Sequence, residues 1–326
     1  MSMVPDAETT NYEDLLSLWG DLESSLGMLL AVPENVEHFA QKIRQYDRWL
    51  QDLLSEDGDT GLYLLFQMAG TSIAGYSTTH SLICAALCHV IALELKLPPV
   101  QRDSLVAAAM TMNIAMTALQ DELAEQPERP SIEQQSHITE HSAKSCMLLA
   151  RVGIHDELWL GIVASHHETL PLPSPGQPTD PTTRLAHVLQ IIDRYAAMIS
   201  PRRSRPGRSV TDSLRMVIAM GKGHIDDVAQ SLVRYVGLCP PGTYVRLENQ
   251  DLAVVLRRTP QPNQPLVASL VNARGEPYHQ PRLYHTGVAG PRIQAAVPSN
   301  AISLMINHAV MLEVARLHQP GQETRV

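Results

Sequence analysis

The chain has 326 residues, of which 44% are hydrophobic, and carries a formal net charge of −9 at pH 7. The hydrophobic fraction is enough for a packed core, whereas the negative charge argues against broad binding to DNA, RNA or anionic membranes, which normally needs a basic face. The longest apolar run, 81–93, is too short to span a bilayer, and the polar, acidic N-terminus and four unpatterned cysteines predict a cytoplasmic protein.

The first part of the chain predicts amphipathic helices. Apolar residues recur at spacings of three and four near 12–31 and 34–54, and a third helix is predicted near 59–70. Phe and Trp are scarce, so the core must come from aliphatic residues and Met, most of which favour helices. We expect residues 1–72 to form an N-terminal helical subdomain that packs on the rest of the chain.

Helical periodicity continues through residues 73–238 and predicts a helical bundle. The predicted helices lie near 76–96, 100–118, 131–150, 155–167, 180–199, 209–221 and 225–236. Prolines precede two of these segments, as is common at helix starts. The segment 171–181 contains five prolines, which predict a stiff loop beside the bundle.

After residue 238 the pattern changes to short runs typical of strands. These runs cover 243–247, 252–257 and 266–272, with a further one near 282–285, and predict a small antiparallel sheet within 239–290. The last segment, 291–326, is predicted to hold a helix over about 301–317 and a tail. We expect the apolar stripe of that helix to pack on its own chain rather than on a partner. The fold class predicted is mainly α, with a small β appendage.

Histidines and one aspartate occur at intervals within the apolar helices, as Thr79-His80-Ser81, Thr139-Glu140-His141, Ser165-His166-His167-Glu168 and Ile192-Asp193-Arg194. Imidazole and carboxylate groups are common ligands of transition metals. A single histidine is more often packed or solvent-facing than a ligand, so the ordered set matters more than any member. Eight histidines outside these motifs are interpreted as background, namely His89, His155, His187, His224, His279, His285, His308 and His318.

Two cysteines, Cys84 and Cys88, lie four residues apart on the predicted helix that carries His80. This spacing is compatible with a thiolate metal site. Because the neighbouring residues are apolar nearly all round the helix, packing in the core is the favoured interpretation.

The ordered series resembles the HD-GYP family, a branch of the HD-domain metal-dependent phosphohydrolases whose active members hydrolyse cyclic di-GMP. The resemblance runs from about residue 76 to 237, and 240–247 is similar to a segment often found after such domains. It implies an HD-type helical bundle with metal ions in its core. By position in the family pattern, the implied metal ligands are His80, His141, His166, His167 and Asp193.

The chain departs from the family pattern at 112–116. It has Met112, Asn113 and Met116 where the family has the His, Asp and Lys of His-Asp-Ile-Gly-Lys, and no Gly-Tyr-Pro follows Glu168. An amide cannot bridge two ions as a carboxylate can, a thioether is a weak donor, and methionine supplies no ammonium group to a phosphate. One metal position thus keeps only His80 and Asp193.

The other implied position keeps three imidazoles, and we expect it to bind one divalent ion, Fe, Mn or Zn. No catalytic residue is assigned, because a single ion cannot contact both the attacking and the leaving oxygen of a phosphodiester.

Two arginines, Arg202 and Arg205, follow Asp193 at the family's spacing. The resemblance implies that they contact a nucleotide, since a guanidinium group can bind two phosphate oxygens. A solvated basic loop, or one that meets an acidic partner surface, fits the same residues.

Three functions follow from this pattern. The leading hypothesis is a degenerate HD-GYP-like signalling protein that acts by binding a cyclic dinucleotide or a protein partner. The alternative is a metal-dependent phosphohydrolase with a reduced, mononuclear site, and the third is a purely structural adaptor. The oligomeric state stays open.

Overall fold

The computed structural model describes residues 12–71, 73–168, 180–219, 226–261, 263–287, 290–302 and 304–316. Nearly all of the proline-rich segment 171–181 lies outside these ranges. The same holds for residues 220, 221, 225 and 317 at the ends of predicted helices, and for His224 and His318.

Three N-terminal helices are present, as the periodicity predicts: α1 (Tyr12–Ala31), α2 (Phe39–Glu56) and α3 (Gly58–Thr71). The second helix begins five residues later than predicted. A 3₁₀ turn occupies Pro33–Asn35, and His38 adopts a left-handed backbone with φ 55°, which interrupts helical hydrogen bonding before Phe39.

Eight helices follow within the described part of 73–238. They are α4 (Tyr76–Glu94), α5 (Pro99–Thr111), α6 (Thr117–Glu125), α7 (Ile132–Arg151), α8 (Glu157–Ser165), α9 (Pro181–Ile199), α10 (Val210–Ala219) and α11 (Asp227–Val236). Several begin at side chains that cap the first free N–H groups, including a capping box at Ser131 and aspartates at 156, 180 and 226.

The prediction of one helix over 100–118 is wrong. Helix α5 ends at Thr111, a 3₁₀ turn covers Ile114–Met116, and α6 begins at Thr117. Asn113 lies at this break with φ −104° and ψ 12°, outside the helical region. Its backbone carbonyl accepts a hydrogen bond from the Met116 N–H. Around the break, Met112, Asn113 and Ile114 are buried, whereas Ala115 and Met116 are half-buried.

Helix α4 is the centre of the bundle and packs against α1, α3, α5, α9 and α11. By length and composition alone it is the one helix among the described residues that is apolar enough to cross a membrane, but 89% of that stretch is buried inside the protein. It is therefore a core helix of this fold.

Five strands form one antiparallel sheet in the C-terminal part, which confirms the predicted fold class. The strands are β1 (Tyr244–Leu247), β2 (Leu252–Arg257), β3 (Leu266–Val271), β4 (Pro277–His285) and β5 (Ile293–Val297), in the order β4-β3-β2-β1-β5. The sequence did not predict β5, which lies in the segment 291–326 expected to hold only a helix and tail. Its residues are only partly buried or exposed, so no apolar alternation marks it.

The last described helix, α12 (His308–Arg316), is shorter than the predicted 301–317. The Asn307 side chain caps its first turn by accepting from the Val310 N–H at 3.2 Å, so the helix begins there. Met311, Leu312 and Ala315 are buried against the chain's own α1 and β2, as expected for packing in cis. Met305, predicted within the apolar stripe, is 99% exposed.

One hydrophobic core runs through the helical and β segments and includes Leu22 of α1, Leu87 of α4, Leu256 of β2 and Leu312 of α12. A second, small cluster occupies the other face of the sheet. The Arg257 guanidinium joins these parts, because it donates to the Asp57 carboxylate between α2 and α3 and to the Ala315 carbonyl of α12.

A buried polar network ties α2, α4 and α5 together. Arg102 donates to both oxygens of Asp47, at 2.8 and 2.6 Å, and its Nε donates to Nδ1 of His89 at 3.0 Å. All three residues are at least 90% buried. Burial of the imidazole, together with the charge of Arg102, lowers the pKa of His89 to about 4.

This network predicts a pH dependence of stability. The unfolded chain protonates His89 near its ordinary pKa of about 6.5, whereas the folded chain does so only near 4. Protons therefore favour the unfolded state between these values, and the free energy of unfolding should decrease as pH falls from 6.5 to 4.

We expect His89→Gln to flatten that decrease, since its amide oxygen still accepts from Arg102 but takes up no proton. Denaturant unfolding at several pH values measures how the free energy of unfolding changes with pH in each protein. His155→Gln, at an exposed histidine, is the matched control, and equal slopes in both variants would contradict the assignment.

Candidate metal centre

The N-terminus of α4 is held from two sides, and this positions His80 one turn further on. The Asp121 carboxylate of α6 accepts from the Ser77 N–H at 2.7 Å and from its hydroxyl at 2.9 Å. The Thr79 hydroxyl donates to Glu23 of α1 at 2.5 Å. Free N–H groups at a helix start need such acceptors, so the first turn of α4 is fixed by its neighbours.

His80 faces α9 and meets Asp193 there. Its Nε2 lies 2.9 Å from Asp193 Oδ1, and since a carboxylate oxygen accepts, Nε2 carries the proton. The Cys84 thiol sulfur lies 3.7 Å from the same nitrogen. The donor atoms of His80, Cys84 and Asp193 all lie within 4.8 Å of one another.

A second cluster joins His141 of α7 with His166 and His167 at the end of α8. Their donor nitrogens also lie within 4.8 Å of one another. His141 and His166 are buried, whereas His167 is exposed, so the cluster is open to solvent on the His167 side. Gln190 of α9 donates to the carbonyls of His166 and Glu168, which holds the chain turn after α8.

The two buried imidazoles, of His141 and His166, face each other through unprotonated nitrogens. His141 Nδ1 lies 2.5 Å from the Ile138 carbonyl and His166 Nδ1 lies 2.7 Å from the Val163 carbonyl, so both Nδ1 atoms carry the proton. The two Nε2 atoms, which then hold only lone pairs, stand 3.3 Å apart. Two nitrogens bound to one tetrahedral Zn²⁺ at 2.0–2.1 Å are separated by about 3.3 Å. The donor set and spacing fit one metal ion.

Electrostatics keeps this cluster in the form that binds metal. Burial, followed by the positive charge of His167, lowers the pKa of His166 to about 3, and burial likewise lowers the pKa of His141. For Asp193, burial raises the pKa, but the hydrogen bond and charge of His80 outweigh this effect and hold the pKa below its usual range. At neutral pH His141 and His166 are therefore neutral, and the Asp193 carboxylate is ionised.

The positions that depart from the resemblance lie inside the protein. Met112 is fully buried in the hydrophobic core, and Met116 is half-buried. Asn113 is 4% exposed, and its side-chain oxygen accepts no hydrogen bond from any described residue. Trp159 of α8 donates to the Thr111 hydroxyl at 2.8 Å, which anchors the chain just before these residues.

Arg202 reaches the His80 region through Tyr76. Its guanidinium stands 4.7 Å from the centre of the Tyr76 ring and donates to the Tyr76 hydroxyl at 3.0 Å. That ring is stacked on the His80 ring, with centres 5.7 Å apart and an interplanar angle of 9°. Arg205 donates to the Ala197 carbonyl. Both arginines thus have partners within the chain, and their contact with a nucleotide stays a prediction.

The predicted ligands therefore come together as two clusters: His80 with Asp193, and His141 with His166 and His167. Sequence reasoning missed the members that no resemblance marks, namely Tyr76, Asp121 and Cys84. Only Cys84 has a sequence signal, because a residue four positions after His80 lies on the same helix face. The sequence-based interpretation treated it as core packing.

Residues 68–228 match the family of HD domains. A curated relative, the cyclic di-GMP phosphodiesterase PA4108 of Pseudomonas aeruginosa, is 27% identical over 189 residues. That match covers 56% of this chain and 45% of the relative, so the chain spans less than half of the relative's length. Among solved structures, Bd1817, an HDG"Y"P protein from Bdellovibrio bacteriovorus, is similar in fold, with a TM-score of 0.53, 14% identity and coverage of 71% of this chain and 74% of that one.

Removal of the Asp121 carboxylate should loosen the start of α4. Asp121→Ala leaves the Ser77 N–H and hydroxyl without their acceptor, and we expect a loss of about 1–2 kcal/mol in the free energy of unfolding, as for a lost N-cap. Denaturant unfolding measures it. Glu125→Ala, at an exposed residue of the same helix, is the control, and an equal loss there would contradict the capping role.

Proposed function

On the premise that residues 68–228 form an HD domain of the kind found in HD-GYP proteins, we propose that this chain is a signalling protein with a reduced metal site and without efficient phosphodiesterase activity. It acts by binding a ligand, of which a cyclic dinucleotide is the first candidate and a protein partner the second. The named activity of the Pseudomonas relative on cyclic di-GMP supports the choice of ligand.

The observation that carries the proposal is the neutral interior at 112–113. Two adjacent divalent ions repel each other and need an anionic ligand between them. Asn113 offers only one neutral amide oxygen and is only 4% exposed. Met112 is packed in the hydrophobic core and adds only a weak thioether donor. A bridged pair of ions is therefore disfavoured.

The cluster of three histidines fits a single ion. His141 and His166 would hold it through their Nε2 atoms, and His167 would complete the set from the exposed side. The backbone carbonyls of Ile138 and Val163 keep both buried rings in the ligating tautomer. When bound, such an ion polarises a phosphate oxygen and lowers the pKa of a coordinated water.

A mononuclear phosphohydrolase is the second candidate. The exposure of His167 favours it, because that side of the cluster leaves room for water and substrate. The half-buried Met116 provides no ammonium group to a leaving oxygen, which argues for slow turnover.

Binding and turnover measurements separate the candidates. We expect calorimetry to detect cyclic di-GMP binding, while hydrolysis stays about a hundredfold or more below that of an HD-GYP enzyme with an intact His-Asp pair. His166→Gln should lose about one bound ion per chain by elemental analysis. Hydrolysis at the rate of an intact enzyme would overturn the proposal, and absence of both nucleotide and metal binding would favour a structural adaptor.

The double substitution Met112→His and Asn113→Asp should restore an anionic ligand and an imidazole. We expect this variant to bind Mn²⁺ more tightly than the wild type, because a carboxylate suits that hard ion. Turnover of cyclic di-GMP should rise less, since Met116 is unchanged. Asn113→Leu is the matched control, and Mn²⁺ affinity that is equal in all three proteins would show that 112–113 do not face the ions.

A further inference from the structure

We propose that His80, Cys84 and Asp193 form a second metal site with a sulfur ligand, selective for Zn²⁺ or another thiophilic divalent ion. The inference goes beyond the proposed function, since it concerns a different ligand set and holds whether or not a nucleotide binds. Cys84 takes the place of ligands that the chain lacks at 112 and 113.

The distances among the three donors suit coordination. His80 Nε2 stands 3.7 Å from Cys84 Sγ and 2.9 Å from Asp193 Oδ1. For Zn–N near 2.0–2.1 Å and Zn–S near 2.3 Å, a tetrahedral ion separates the nitrogen and sulfur by about 3.5–3.6 Å. Small side-chain adjustments therefore admit an ion between the three atoms.

The scaffold that presents these donors is rigid. His80 and Cys84 lie one turn apart on α4, a helix buried on nearly all sides, and Asp193 lies on the adjacent α9. The first turn of α4 is held by Asp121, and the His80 ring is stacked on Tyr76. Because the donors are held in place before binding, little conformational entropy is lost when an ion enters.

Charge balance supports a cysteine ligand. One thiolate and one carboxylate neutralise a dication, so the occupied site would carry no net charge in a buried place where an uncompensated charge is costly. His80 and Asp193 alone would leave one positive charge. Asn113 cannot supply the missing anion, whereas Cys84 can.

The protons balance with one released per ion. The Cys84 thiol loses its proton to water, and Asp193, whose side chain is 14% exposed, provides the path to solvent. The His80 proton moves from Nε2 to Nδ1, an atom that is buried and has no partner among the described residues. The contacts of the His80 ring with Asp193 and Cys84 are both made by Nε2, where the ion would bind.

The sulfur ligand determines which ions bind. Thiolate is a soft donor that favours Zn²⁺ and Co²⁺ over Mn²⁺ and Mg²⁺. The three-histidine cluster contains no sulfur ligand, so the two sites are distinguishable by spectroscopy.

Cobalt titration of the full chain, stripped of metal by a chelator, tests the proposal. We expect bound Co²⁺ to show a thiolate-to-cobalt charge-transfer absorption in the near ultraviolet. Cys84→Ser should abolish this band and lower the stoichiometry by one ion per chain. The control Cys88→Ser, at an equally buried cysteine of the same helix, should keep the band, and His166→Gln should keep it while losing the other ion.

The proposal is overturned if the cobalt-bound wild type shows no such band, or if the band persists in Cys84→Ser. Loss of the band in Cys88→Ser would also overturn it. If Cys84→Ser does not fold, Cys84→Ala, which buries no new polar group, replaces it, and survival of the band in that variant overturns the proposal. Neither readout depends on cyclic di-GMP, so failure here is distinct from failure of the proposed function.

Discussion

The burial of α4 is the constraint on which the rest of the structure depends. A helix enclosed on nearly all sides must find a partner for every polar side chain it carries, because an unpaired polar group in the interior is costly. Ser77, Thr79, His80 and His89 of this helix meet Asp121, Glu23, Asp193 and Arg102 from four other helices. These contacts fix the relative positions of α1, α5, α6 and α9, and thereby the geometry of the metal centre.

The centre combines two clusters whose chemistry differs. The three-histidine cluster offers only nitrogen ligands, and backbone carbonyls set the tautomers of His141 and His166. The neighbouring cluster contains the carboxylate of Asp193 and the thiol of Cys84, so it can compensate positive charge. The chain thus has an amide at Asn113 and no anionic residue there to bridge ions bound by the two groups of ligands.

This separation has a functional consequence. Hydrolysis of a phosphodiester by two ions requires that both contact the same phosphate and the attacking oxygen. Under the proposed function, ions held in separate sites would instead stabilise the fold or bind a phosphate oxygen of the ligand. The exposed basic turn at Arg202, which is linked to His80 through the Tyr76 ring, connects the centre to the surface.

The pattern of apolar residues determined most of the secondary structure. Helix α7 buries a periodic face, whereas α4 and strands β2 and β3 are buried nearly throughout. The ordered motifs determined which histidines and which aspartate come together, since the resemblance relates their positions along the chain. Strand β5 and the break at Asn113 could not be predicted, because neither leaves a periodic signal.

Whether a thiol on an apolar helix is packing or a ligand also depended on the tertiary structure. Cys84 and Cys88 have similar neighbours along the chain and are both fully buried. The helix itself places the His80 imidazole beside Cys84, but only the packing of α9 against α4 adds the Asp193 carboxylate. A sequence states which groups are present, but the distances between their atoms, on which coordination depends, arise from contacts between residues more than a hundred positions apart, such as His80 and Asp193.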